Sequence, residues 1–301
     1  MEVLDTKAPL LSVVLCTYND ERYIAKTINS VLSQSFSDFE FIIWNDGSTD
    51  RTEEIIKSFA DKRIKYYFHS NTGLGTALAL ACKEARGKYI ARIDGDDLCL
   101  PYRFEKEIGF LDSHPDYVLV SSSVLYIDES DNIIGRSFPW TWNCCQKRQR
   151  SVVHPAAMYR RAAYNSTKGY ISILGCEDRV LWSELIKIGK FYNIEQPLIK
   201  YRLLGTSLSH GYDSTSTYAT MLEIMRKKIC NDEELSENDI ILHNQLYEYA
   251  KKSKVQEVSY AYVKTPEEKF FSIIKPICGE HLATKFICTI KNLYCLLRYH
   301  N

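Results

Sequence analysis

The chain has 301 residues, 38 Lys+Arg against 38 Asp+Glu, and an apolar fraction of 45%. That length suits one large domain, or one domain with an appendage, and it can bury a substantial core. A formal net charge of zero argues against a general nucleic-acid binder, and the balanced composition excludes the disordered and acidic-tail classes.

Residues 11–16 form a short apolar run rich in β-branched side chains, which predicts a buried strand. Asn19 or Asp20 stands where the next helix would be capped, and Ile24, Ile28, Val31 and Leu32 give that helix an apolar stripe. A second strand is predicted over 39–44, closed by the polar turn 45–50 and a helix through Ile55, Ile56 and Phe59. A third strand over 64–68, an Ala-rich helix over 75–85, a fourth strand over 89–93 and a helix over 102–111 follow. Four strands separated by helices predict a doubly wound parallel sheet. Such sheets bind ligands beyond the carboxyl ends of their strands, here residues 17–20, 45–50, 69–73 and 94–97.

After residue 124 the pattern loosens. Strands are expected at 117–121, 153–159 and 197–203, a helix over 180–188, and only helices from 217 onward. Thr265-Pro266-Glu267-Glu268 reads as a capping box, and Phe286, Ile290, Leu293 and Leu297 stripe the last helix. No internal repeat, signal peptide or run of roughly 18 apolar residues is visible. The ten cysteines are scattered without a CxxC pair, as expected of reduced thiols in a cytoplasmic protein.

Asp94-Gly95-Asp96-Asp97 is the strongest chemical signal: three carboxylates within four residues at the end of a buried strand. Carboxylates this close repel one another unless a cation sits among them, and hard oxygen donors suit Mg²⁺ or Mn²⁺. A plain solvated turn is the bland alternative; the position at the sheet edge favours metal. Asp46 has two readings, a helix cap or an acceptor for a ligand, and Ser48 or Asp50 can cap in its place. Glu177-Asp178 opens a helix, where acids are favoured by the dipole alone. Gly73-Leu74-Gly75 mimics a dinucleotide fingerprint, but Leu78 replaces the third Gly and three strands precede it. Asp94-Gly95-Asp96 also resembles the aspartyl-phosphate motif of haloacid-dehalogenase phosphatases, although here it follows a fourth strand and Leu98 stands where Thr or Val is expected.

In order, Val13-Val14-Leu15-Cys16-Thr17-Tyr18-Asn19, Asn45-Asp46-Gly47-Ser48-Thr49-Asp50, Asn71-Thr72-Gly73 and Ala91-Arg92-Ile93-Asp94-Gly95-Asp96-Asp97 resemble the family-2 glycosyltransferases of the GT-A fold. The resemblance continues through Leu100-Pro101-Tyr102-Arg103, His154-Pro155, Glu177-Asp178-Arg179-Val180-Leu181-Trp182 and Tyr201-Arg202, so it spans about residues 10–210. It implies an α/β GT-A domain over 1–212, with a nucleotide-sugar half over 8–115 and an acceptor half over 116–212. Residues 213–301 form a C-terminal helical appendage in this reading. It also implies an inverting transferase using a nucleotide-diphosphate sugar, UDP foremost, with Mn²⁺ or Mg²⁺, as in bacterial surface-polysaccharide synthesis. By position, Asp46 contacts the nucleobase with Cys16 and Tyr18 lining that pocket, and Asp94 and Asp96 contact the donor. Asp96 and Asp97 are the metal ligands, and Asp178 is the general base. On the acceptor side stand Glu177 and two stacking candidates, Trp140 and Trp142.

The chain departs from the family pattern at Val180, where a further Asp is common, at Leu204, where a His is common, and at Ala79, where an Asn is common. The first two departures keep a non-catalytic nucleotide-sugar binder as the alternative, with the phosphatase behind it. His210 is a candidate substitute for the missing His. Lys147-Arg148-Gln149-Arg150 reads as a solvated run, and Arg160-Arg161 match a family pair without an assigned role. The expected acceptor is a saccharide or lipid-linked saccharide, with no nucleic acid. The last helix either lies on the inner face of a membrane or packs against the catalytic domain or the second subunit of a homodimer; packing is favoured.

Overall fold

The computed structural model describes residues 8–137, 152–204 and 235–252. Trp140, Trp142, the basic run at 147–150, His210 and the last helix lie outside them, as does most of the expected appendage.

The chain alternates as expected. β1 (Leu11–Thr17), β2 (Phe39–Asn45), β3 (Ile64–Phe68) and β4 (Tyr89–Asp94) alternate with α1 (Ile24–Leu32), α2 (Thr52–Lys57) and α3 (Leu74–Lys83). The short β5 (Leu98–Cys99), α4 (Arg103–Ser113), the long β6 (Tyr117–Ile127) and β7 (Ile133–Arg136) follow. A 3-10 turn (His154–Ala156), β8 (Met158–Arg160), α5 (Arg161–Asn165), α6 (Glu177–Ile188), β9 (Lys190–Arg202) and α7 (Glu237–Lys252) complete the described elements.

The strands form one sheet in the order β3-β2-β1-β4-β8-β6-β9-β5, with β7 on β6. β1 to β4 are parallel, β8 runs against both β4 and β6, and β6 and β9 pair in parallel. The doubly wound half is therefore as expected, while β8 makes the whole sheet mixed. Alternate β1 side chains serve opposite faces, as a pleated strand requires. Leu11, Val13 and Leu15 meet Ile24, Ile28 and Phe104, whereas Val14 and Cys16 meet Ala77, Leu78 and Trp182.

Two sequence expectations need correction. Residues 153–159 are not one strand: Pro155 has no N–H to give, and a 3-10 turn occupies 154–156 before β8 begins. The strand expected from 197 begins at Lys190 and passes through Pro197, where the register with β6 shifts. A bulge tolerates a proline inside a sheet. Among the described residues Cys16, Cys82, Cys99 and Cys176 are free, buried thiols, and no helix is long and apolar enough to cross a membrane.

Candidate active site

The ends of β1, β2 and β4 lie side by side, with Thr17 opposite Asn45 and Cys16 opposite both Trp44 and Asp94. Side chains lock the loops above them together. Asn19 N–H donates to Ser48 Oγ at 2.9 Å, Asn19 Oδ1 accepts Thr49 N–H at 2.8 Å, and Asp20 N–H donates to Thr52 Oγ1 at 2.8 Å. Asp50, as anticipated for a residue that frees Asp46 from capping, accepts Thr52 N–H at 3.0 Å. Asp46 is nonetheless engaged: Oδ1 accepts from Thr72 N–H and Oγ1–H, and Oδ2 from Gly73 N–H, all at 2.9 Å. It pins the loop that starts α3. Tyr18 is half exposed at this edge, whereas Cys16 is 6% exposed and packed under α3. Cys16 stands one residue before the end of β1, just ahead of the loop that carries Tyr18, beside the charges of Asp46, Asp94 and Arg92.

The Asp94–Asp97 turn divides its carboxylates. Asp94 and Asp96 are half-buried at the sheet edge, while Asp97 is 1% exposed and its Oδ1 accepts Arg202 N–H at 2.8 Å. Arg202 also donates Nε–H to Asp96 O at 2.8 Å, so the end of β9 braces this turn from behind. Burial, with Asp94 and Asp20 nearby, pushes the Asp96 carboxyl up to about 7. Asp20, which sequence reasoning treated only as a cap, belongs to the cluster. Its Oδ2 accepts Thr17 Oγ1–H at 2.6 Å and lies 2.3 Å from where a Cβ on Gly95 would stand, so a larger residue there would displace the Asp20 carboxylate. Burial raises Asp20 to about 6.

Crowded carboxylates held above their ordinary range are the setting in which a divalent cation lowers the energy of the charged forms. Asp96 with Asp94 fits such an ion, one that takes one or two protein carboxylates and completes its shell with phosphate and water. Asp97 is the most enclosed of the three: Arg202 N–H holds its Oδ1, while its buried Oδ2 has no hydrogen-bond partner among the described residues. Among the described residues no three His, Cys, Asp or Glu side chains form a ready-made metal site.

The second acidic motif converges on the first. Glu177 and Asp178 open α6. Beside α6, the loop before it presses on α3, with Ile171 O 2.2 Å from a Cβ position on Gly75. His154 Nδ1 is 3.8 Å from Glu177 Oε1, and its Nε2 shares a 2.9 Å hydrogen bond with Tyr170 OH. Burial and the Arg92 charge push the His154 pKa well down, so the ring is neutral. Burial and its neighbour Asp178 raise Glu177 to about 8; burial raises Asp178 as well. Glu177 is 5% exposed and Asp178 half-buried, which leaves Asp178 the more accessible carboxylate.

Arg92 links the two motifs and was missed from sequence. It is 1% exposed, pairs with Asp94 and donates to Ile93 O, and its charge partly offsets the burial that raises Asp97, Glu177 and Asp178. A lone arginine inside an apolar strand gave no local signal of this role.

Comparison with known proteins agrees with this layout. The model of Glycosyl transferase family 2 matches residues 12–167. EpsE of Bacillus subtilis, named as a glycosyltransferase, is 36% identical over 203 residues, covering 64% of this chain and 73% of its own. The structure of S. aureus TarS in complex with UDP-GlcNAc superposes with a TM-score of 0.60 at 18% identity, covering 89% of this chain and 81% of that one. The mannosyltransferase PcManGT from Pyrobaculum calidifontis, in complex with GDP-Man and Mn²⁺, gives 0.53 at 14% identity over 96% and 88%. The fold is GT-A, the chain is an enzyme that transfers sugar, and neither the phosphatase nor the non-catalytic reading is retained. A sheet edge carrying two converging acidic motifs, in a chain matched over half its length, is thus accounted for by one conclusion: this protein is a member of glycosyl transferase family 2.

Proposed function

We propose that the protein moves a sugar, with inversion, from a nucleotide-diphosphate sugar to a saccharide or lipid-linked acceptor. UDP is the favoured nucleotide. The observation that carries the reading is the convergence of Asp94–Asp96 and Glu177–Asp178 across the buried Arg92. That TarS binds UDP-GlcNAc and PcManGT binds GDP-Man with Mn²⁺ supports a nucleotide-sugar donor and a divalent ion.

In this reading Tyr18 and Asp46 mark the nucleoside end of the donor site. Asp94 orients the donor on its ribose and sugar side, fixed in turn by Arg92. Asp96, with Asp94 beside it, holds Mn²⁺ or Mg²⁺, which when bound neutralises charge developing on the diphosphate leaving group. Asp178 takes the proton from the acceptor hydroxyl as that oxygen attacks the anomeric carbon. Glu177, protonated near neutrality, offers a hydrogen bond to the acceptor instead of competing for its proton. One displacement needs one base and no covalent intermediate, so the anomeric centre inverts.

Asp178→Asn keeps the shape and removes the base. Transfer is expected to fall roughly 100- to 10,000-fold with donor affinity unchanged. Turnover at the wild-type rate would remove Asp178 from the mechanism.

A further inference from the structure

The loop over residues 171–176, which delivers the chain into Glu177 and Asp178, is gripped from outside by α7. Asn244 Oδ1 accepts Leu174 N–H at 3.0 Å, and its Nδ2 donates to Ser172 O at 3.2 Å. His243, fully buried, donates Nε2–H to Leu174 O at 2.8 Å and lies 3.6 Å from Cys176 Sγ. Burial lowers the His243 pKa and keeps the ring neutral. Leu235 and Ile240 pack on the cluster of Ile173, Cys176 and Val180. Ser236 fixes the start of α7, accepting Asp239 N–H at 3.2 Å and donating Oγ–H to Asp239 Oδ2 at 2.8 Å.

Both backbone groups of Leu174 thus find partners on α7 side chains. Backbone groups turned inward need such partners, and a loop without its own ladder takes its position from whatever supplies them. On its other side the same loop rests on α3 through Ile171 O and Gly75. The loop is clamped between α3 and α7, with the α7 grip on Leu174 four residues before Asp178.

We infer that α7 is a positioning element of the active site, with His243 and Asn244 fixing where α6 begins and so where the Asp178 carboxylate stands. The inference rests on Asp178 being the base. It adds a part of the chain beyond the family match at residues 12–167 to the machinery. A base held by a rigid outer layer works at its best geometry, and small displacements cost turnover more than binding.

The test compares the full-length wild type, Asn244→Ala and Asn244→Asp by two readouts. These are amide hydrogen exchange over 171–176 and steady-state kinetics with the UDP- or GDP-sugar that the wild type turns over fastest. Asn244→Ala is expected to speed exchange in that loop about tenfold, leave β1 and β4 unchanged, and lower kcat about tenfold with donor KM within about twofold. Asn244→Asp, which keeps an oxygen for Leu174 N–H, is expected to recover most of kcat. Unchanged exchange in Asn244→Ala would overturn the clamp. Faster exchange with wild-type kcat would overturn the positioning role. A wild type inactive on every donor would overturn the function proposed above and with it the link to Asp178, and the exchange readout would still report on the clamp.

Discussion

Arg92, Glu177 and Asp178 show how buried charge sets the chemistry at the scale of single residues. Glu177 and Asp178 would repel each other and desolvate at a cost, which Arg92 limits at Glu177 and Arg179, with Arg92 behind it, limits at Asp178. The carboxyl of Asp178 is nonetheless raised by burial. A general base works only when ionised, so activity is lost as pH falls through a raised value, not through the ordinary carboxylate pKa of ~4. The acid limb of kcat is expected clearly above that value, and Asp178→Glu is expected to move it. A limb at the ordinary carboxylate value would contradict the burial argument. Asp97 differs from its two neighbours in that a backbone N–H, that of Arg202, holds one of its carboxylate oxygens.

At the scale of elements, loops that meet by side chain matter more than helix ends. Ser12 accepts Gly87 N–H at 2.8 Å and donates to Glu40 Oε1 at 2.7 Å, which ties the start of β1 to the turn before β4. A Cβ on Gly87 would stand 2.5 Å from Ser12 N, against backbone that cannot yield. Gly87→Ala is expected to destabilise the fold by about 1–3 kcal/mol, read as a lower denaturant midpoint at constant m-value; an unchanged midpoint would refute the close approach. Elements with a strong period were legible: β3 falls where the sequence put it, and β1, β2 and β4 each extend one residue further. The N-terminus of α1 was not. Asp20 reads as a cap, yet its carboxylate turns to Thr17 and the helix starts at Ile24, because a polar residue before an apolar stripe has more than one use. Glu177, Asp178, Asp94 and Asp96 were found as candidates from pattern and resemblance. Arg92, Asp20 and the grip of His243 and Asn244 depend on contacts distant in sequence that no local pattern encodes.

Seen whole, the molecule places its chemistry on one edge of a sheet. β1, β2, β4, β6 and β9 run the same way, and β4 and β6 both oppose β8. Their carboxyl ends therefore lie on one side. There the Asp96 carbonyl and the Asp97 carboxylate meet Arg202 from β9. In the proposed reading the parallel half supplies the donor loops and the mixed half brings in α6, whose preceding loop α7 holds. The central claim, that Asp94 and Asp96 receive a nucleotide diphosphate together with a divalent ion, is tested most directly by calorimetric titration of UDP and GDP into the full-length protein in Mn²⁺, repeated in EDTA and with Asp96→Ala. One nucleotide is expected to bind in Mn²⁺ and to lose that binding both in EDTA and in Asp96→Ala. Equal affinity in Mn²⁺ and EDTA, or undiminished binding by Asp96→Ala, would contradict it.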